Sequence, residues 1–196
     1  MKASLSYVLL VGAALVAGTA SAQQVAADQA RDVTQQQRIE QGLKSGQLST
    51  KEAGSLERQE QHVDRMEAKD LKNGSISPAE QARLNAAQNK VSRDIRADKT
   101  NDVKGNPNSA SSRRMQADVQ RNVNQQERIK NGISNGSLTN KEVGSLERGQ
   151  AHVAGREANA ARNGHVSAGE QNRIQRAENR QSGRIYNKKH NATVRK

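Results

Sequence analysis

A phrase of the form G-x-Φ-[S/T]-x-x-E, with Φ apolar, occurs four times, as Gly46 to Glu52, Gly74 to Glu80, Gly136 to Glu142 and Gly164 to Glu170. Two chemistries call for these residue types at this spacing. One is calcium binding, because the Gly, the apolar residue and the final Glu fall at positions six, eight and twelve of an EF-hand loop. The other is a helix start, in which Ser or Thr caps free amides of the first turn and the Glu three residues later reaches back. The first halves of the loops decide between them. Positions one, three and five would be Gln41, Leu43 and Ser45, then Lys69, Leu71 and Asn73, and in the later pair Asn131, Ile133, Asn135 and Asn159, Ala161, Asn163. None carries a carboxylate, and calcium affinity follows the charge of the ligand set. The phrases therefore predict capping pairs: Ser49 with Glu52, Ser77 with Glu80, Thr139 with Glu142, and Ser167 with Glu170. Pro78 sits where a first helical residue needs no N–H.

Other reactive constellations are missing from the sequence. The four histidines, His62, His152, His165 and His190, do not pair at helical spacing, and a zinc site needs three or four convergent ligands. There is no cysteine, no Gly-rich phosphate loop and no strand-turn-helix nucleophile elbow. The expectation is a non-enzymatic protein without catalytic residues, metal or cofactor.

The remaining chemistry is charge. The chain has 32 basic and 20 acidic residues, a net +12, and the excess is uneven. Residues 23–103 hold 13 basic and 13 acidic side chains, whereas residues 104–196 hold 18 and 7, a net 18 − 7 = +11. Near the C-terminus Arg173, Arg176, Arg180, Arg184 and Lys188 step by three and then four, a continuous basic stripe beside Ile174, Ala177 and Ile185. Such a stripe suits phosphates or an anionic membrane surface. Nucleic acid is disfavoured, because two tyrosines are the only aromatic residues apart from His and base stacking needs aromatic platforms.

These residues need helices to position them, and an internal duplication supplies the plan. A shift of 90 aligns Gln35-Gln36-Gln37-Arg38-Ile39 with Gln125-Gln126-Glu127-Arg128-Ile129, and Gly54-Ser55-Leu56-Glu57-Arg58 with Gly144-Ser145-Leu146-Glu147-Arg148. Roughly 30 of 70 positions agree across Thr34 to Val103 without a gap, the signature of a tandem repeat. Each copy contains two capping phrases and so three helices, placed in the first copy near Val25 to Lys44, Ser49 to Lys72 and Ser77 to Lys99. Leu84, Ala87, Val91 and Ile95, and Met115, Val119 and Val123, recur at helical spacing. The predicted fold is all-α: two tandem copies of a three-helix antiparallel unit, residues 23–99 and 115–196, joined by a flexible linker at 100–114. Only 25 Leu, Ile or Val residues lie in 23–196, so the core is thin.

The N-terminus has the pattern of a secretory signal peptide. Lys2 supplies the charge, Leu5 to Ala17 the apolar run, and Ala20-Ser21-Ala22 a small-residue cleavage site. The run is shorter than the ~20 residues of a bilayer span, which predicts removal of residues 1–22, no stable membrane insertion, and a periplasmic or secreted product.

The phrases R-I-x-x-G-x-x-S-G-x-L-[S/T]-x-x-E, here Arg38 to Glu52, and S-x-x-I-Y-x-x-K-H-N, here Ser182 to Asn191, resemble a family of small uncharacterised secreted bacterial helical-repeat proteins. The resemblance spans nearly the whole mature chain, twice, and implies no particular activity. Asn73-Gly74 and Asn163-Gly164 replace the Asp-Gly that family members often carry. Leu138-Thr139-Asn140-Lys141-Glu142 is also similar to the L-T-x-x-Q phrases of periplasmic helical-hairpin chaperones of the Spy and CpxP type. The functional expectation is an exported binding protein that engages an anionic envelope component or an unfolded protein through its Arg-rich second copy. A degenerate EF-hand-like metal-responsive protein and a structural spacer are the alternatives.

Overall fold

The computed structural model describes residues 13–193. Six helices account for most of them, with no strand among the described residues: α1 Ala13–Ser45, α2 Thr50–Asp70, α3 Pro78–Thr100, α4 Ala110–Ser134, α5 Asn140–Ala160 and α6 Ala168–Lys189. The fold is all-α, as the periodicity predicts. The apolar run of the predicted leader lies partly outside the described residues, and α1 passes through the predicted cleavage site.

Local chemistry sets the helix boundaries. All four capping boxes form, each with the Ser or Thr side chain accepting from the amide of the Glu three residues on and that Glu accepting from the cap amide. Upstream, Gly46, Gly74, Gly136 and Gly164 adopt φ of 71°, 97°, 77° and 82°, a left-handed turn that a side chain would strain. Each phrase is thus a joint between two helices.

The two copies repeat the same internal contacts. Gln35 Nε2 donates to the Gln88 carbonyl at 2.7 Å, and Gln125 Nε2 to that of Glu178 at 3.1 Å. Arg38 and Arg128 reach the Ser92 and Ser182 carbonyls at 3.1 and 3.2 Å. Asn101, just past α3, donates to Glu52 Oε1 at 2.8 Å, and Asn191, just past α6, donates to Glu142 Oε1 at 2.7 Å. The end of each unit is therefore clasped to the capping residue that starts its middle helix.

The copies also pack on each other as equivalents. The start of α2 meets the end of α5 and vice versa: a Cβ on Gly54 would lie 2.5 Å from Ala161 Cβ, and one on Gly144 2.8 Å from Leu71 Cβ. These are the same contact shifted by 90, so α2 and α5 run antiparallel about a pseudo-two-fold axis. In the same sense α1 crosses α4, with Gln37 donating to Glu127 and Lys44 to Gln120, each at 3.5 Å. Both apolar clusters mix the copies. Leu43, Leu56 and Ile95 pack with Met115, Val119 and Ile174, whereas Val25 and Leu71 pack with Ile129, Leu146 and Ile185.

Residues 110–114, predicted to belong to the linker, are helical instead. Ser109 caps α4 by accepting from the Ser112 amide at 3.0 Å, a start signal that the surrounding turn residues obscure. The intervening strap is tied down where Gly105 N–H donates to the Gly46 carbonyl at 2.9 Å.

Candidate functional site

The outer face of α6 carries Arg173, Arg176, Arg180 and Arg184 exposed and Lys188 half-buried, while Ile174, Ala177 and Ile185 face the core. Alternating i+3 and i+4 steps keep the basic positions on one side. The antiparallel neighbour α5 widens this face. Its exposed Arg148 and His152 and half-buried Arg156 step by four, and Arg156 Nε donates to His152 Nε2 at 2.9 Å. Partial burial, then the charges of Arg156, Arg180 and Arg184, hold the His152 ring below the usual histidine range. Both helices thus contribute to one positive surface. A small cavity of about 180 Å³ closes its far end, between Arg156 and Asn159 on α5 and Glu170, Arg173 and Ile174 on α6.

The first copy offers an internal comparison on the same framework. The positions of Arg156, Arg176, Arg184 and Lys188 are there Met66, Ala86, Asp94 and Asp98. Lys90, matching Arg180, is neutralised by Asp94 at 2.5 Å. Arg176, Arg180 and Arg184 take part in none of the ion pairs found among the described residues.

Each capping carboxylate holds its cap through one oxygen, and Glu52 and Glu142 use the other in the Asn clasps. Glu52 Oε2 accepts from the Ser49 amide at 2.9 Å and hydroxyl at 2.7 Å, and Thr139, Ser77 and Ser167 repeat the arrangement. Hydrogen bonds from Ser77 and Ser167 hold Glu80 and Glu170 below the usual carboxylate range. Burial opposes the same effect at Glu142, but the Thr139 and Asn191 bonds prevail. His62, His152, His165 and His190 are all exposed, and His190 stacks on Tyr186 with ring centroids 4.1 Å apart. No group of three or more His, Asp or Glu among the described residues is arranged to hold a metal ion.

The interior holds a feature that the sequence reading missed. Glu57, Glu60, Asp64 and Glu67 of α2 are buried and face Glu147 and Glu157 of α5. Asp28 and Asp32 of α1, Asp118 of α4 and Glu178 of α6 flank them, all at most 3% exposed. Their partners are mostly amides. Gln29 donates to Glu67 at 2.9 Å, Gln36 to Glu57 at 3.1 Å, Gln88 to Asp32 at 2.8 Å and Asn122 to Glu157 at 2.8 Å. Carboxyls also neighbour each other, Asp32 with Glu67 and Glu57 with Glu157 across the pseudo-two-fold, and a proton on one would supply the donor that the other lacks. Among the described residues only Arg121 makes an ion pair in this layer, with Glu178 at 3.0 Å. Burial raises every one of these carboxyls. Asp118 reaches about 7, with Gln171 and Arg121 opposing, and Glu178 about 8, where Asp118 adds to burial and Arg121 opposes. The signal was present in the 3, 4, 3 spacing of Glu57, Glu60, Asp64 and Glu67, which puts them on the same face as Val63.

No family model, curated protein or solved structure matches the chain. No helix of the described residues is long and apolar enough to cross a membrane.

Proposed function

We propose that this is a non-enzymatic helical binding protein whose α5–α6 face engages an anionic polymer or surface, and that it works in the bacterial envelope after export. One observation carries the reading. Arg156, Arg176, Arg180 and Arg184 share a two-helix surface free of ion pairs, whereas the equivalent face of the first copy is interrupted by Asp94 and Asp98. Rows of guanidinium groups suit phosphate and carboxylate groups, which they bind in bidentate geometry.

The test is sedimentation of the whole chain with phosphatidylglycerol vesicles and with lipopolysaccharide. Binding is expected to fall steeply between about 50 and 200 mM salt, as released counterions require. Combining Arg176→Glu, Arg180→Glu and Arg184→Glu should abolish it, while Arg83→Glu with Lys90→Glu in the first copy leaves it intact. Binding that ignores salt, or equal loss from both sets, refutes the reading and leaves a structural spacer.

A further inference from the structure

The layer between α2 and α5 has an unusual composition for the centre of a bundle. Six carboxyls from these two helices meet there without one Lys, Arg or His of their own on the buried faces. From α1 the layer receives Asp28 and Asp32 with the amides of Gln29 and Gln36; Arg31, which acts on both aspartates, bonds outward to Asn85 and Asn89. From α3 it receives the neutral Gln88. From α4 come Asp118, Asn122, Gln126 and Arg121, and from α6 Glu178 and Gln181, so Arg121 is the only cation among the described residues that is paired within it. Glu60 Oε1 and one or more oxygens of most of these groups have no hydrogen-bond partner. Protons fit this arrangement, since a protonated carboxyl supplies the donor that a facing carboxyl or amide oxygen lacks.

We infer that the α2–α5 interface is a proton-operated latch: it holds the two copies together while its carboxyls are protonated, and it releases α2 from α5 when they ionise. The copies themselves indicate where the proton dependence is concentrated. Asn122 and Gln150 of the second copy stand where the first has Asp32 and Glu60, and Ala154 stands where it has Asp64. Amides therefore fit these positions without charge. The direction follows from proton linkage. Burial raises the closed-state carboxyls, Glu57 to about 7, so between about pH 4, where exposed carboxyls ionise, and pH 7, the open state binds fewer protons. Rising pH through that window favours opening, and each extra proton released makes the opening constant rise tenfold per pH unit.

The experiment uses the full chain and reads the interface directly. Nitroxide labels at Ser55→Cys and Arg162→Cys, both exposed beside the Gly54–Ala161 contact, report separation of α2 from α5 from pH 4.5 to 8.5. A single short distance at low pH, lengthening as pH rises while far-ultraviolet circular dichroism retains the helices, is the expected result. Asp32→Asn with Glu60→Gln should move the transition to higher pH and flatten it by up to ~100-fold per pH unit in the opening constant. An unchanging distance in the parent, or the same pH profile in the amide variant, overturns the latch. Thermal melting of the unlabelled chain gives a check free of substitution: a melting temperature that is flat or rises from pH 4.5 to 8.5 overturns it too.

Discussion

The close approach of α2 and α5 makes Gly54 the most informative position to alter. In a helix, Gly→Ala normally stabilises by ~1 kcal/mol through propensity alone. Gly183 of α6 provides that baseline, because a Cβ there meets nothing within 4 Å. At Gly54 the new Cβ would lie 2.5 Å from Ala161 Cβ. Carbon atoms rest ~3.5–4.0 Å apart, so the overlap exceeds ~1 Å, and overpacking of that order costs ~1–3 kcal/mol. Gly183→Ala should therefore raise the melting temperature, while Gly54→Ala should fall below it by ~1–3 kcal/mol. For a chain of this size each kcal/mol shifts melting by ~2–4 °C, a separation that differential scanning calorimetry resolves. Ala161→Gly added to Gly54→Ala removes the overlap and should restore most of the loss. If Gly54→Ala stabilises as much as Gly183→Ala, the two copies do not pack through this contact and the antiparallel pairing is wrong.

Other perturbations test the remaining structural claims. Ser49→Ala or Thr139→Ala removes the hydroxyl that caps α2 or α5 and should lower stability by ~1 kcal/mol in chemical denaturation; no change for either would mean that the cap bonds do not hold. Millimolar calcium should leave the melting temperature at pH 7 unmoved, because Glu52 and Glu142 already serve both a cap and an Asn clasp; a clear rise would revive the EF-hand alternative. Intact-mass measurement of the exported chain should show Gln23 as its first residue without a lipid, and a retained Met1 would reject the leader reading.

What could be read from the sequence was local. Capping phrases fix where α2, α3, α5 and α6 begin because the bonds that make them span only three residues. The apolar steps of Leu84, Val91 and Ile95 likewise mark a buried face. Periodicity says which face turns inward but not what it meets, so the pairing of α2 with α5 stayed hidden. One hint was legible in retrospect: Gly144, Gly149, Ala151, Ala154, Gly155 and Ala158 crowd one helix with small residues, as close helix contact demands. The buried carboxyls were missed for a different reason. Asp and Glu are almost always solvated, and four of them on one helix read as a wet surface. Neither the charge count nor the stripe on α6 distinguishes an acid that faces water from one that faces another acid.

The pairing of equivalent helices also bears on how the chain assembles. Contacts within a unit, such as those of Gln35 with α3, close over about 50 residues, whereas Glu57 finds Glu157 across 100. Distant closures come late, so two preformed halves should dock as the slow step. Nothing in the docking surface distinguishes the half attached to the same chain from the identical half of a neighbour. At high concentration the halves should exchange between molecules, giving domain-swapped dimers that reproduce every contact of the monomer except the route of the strap.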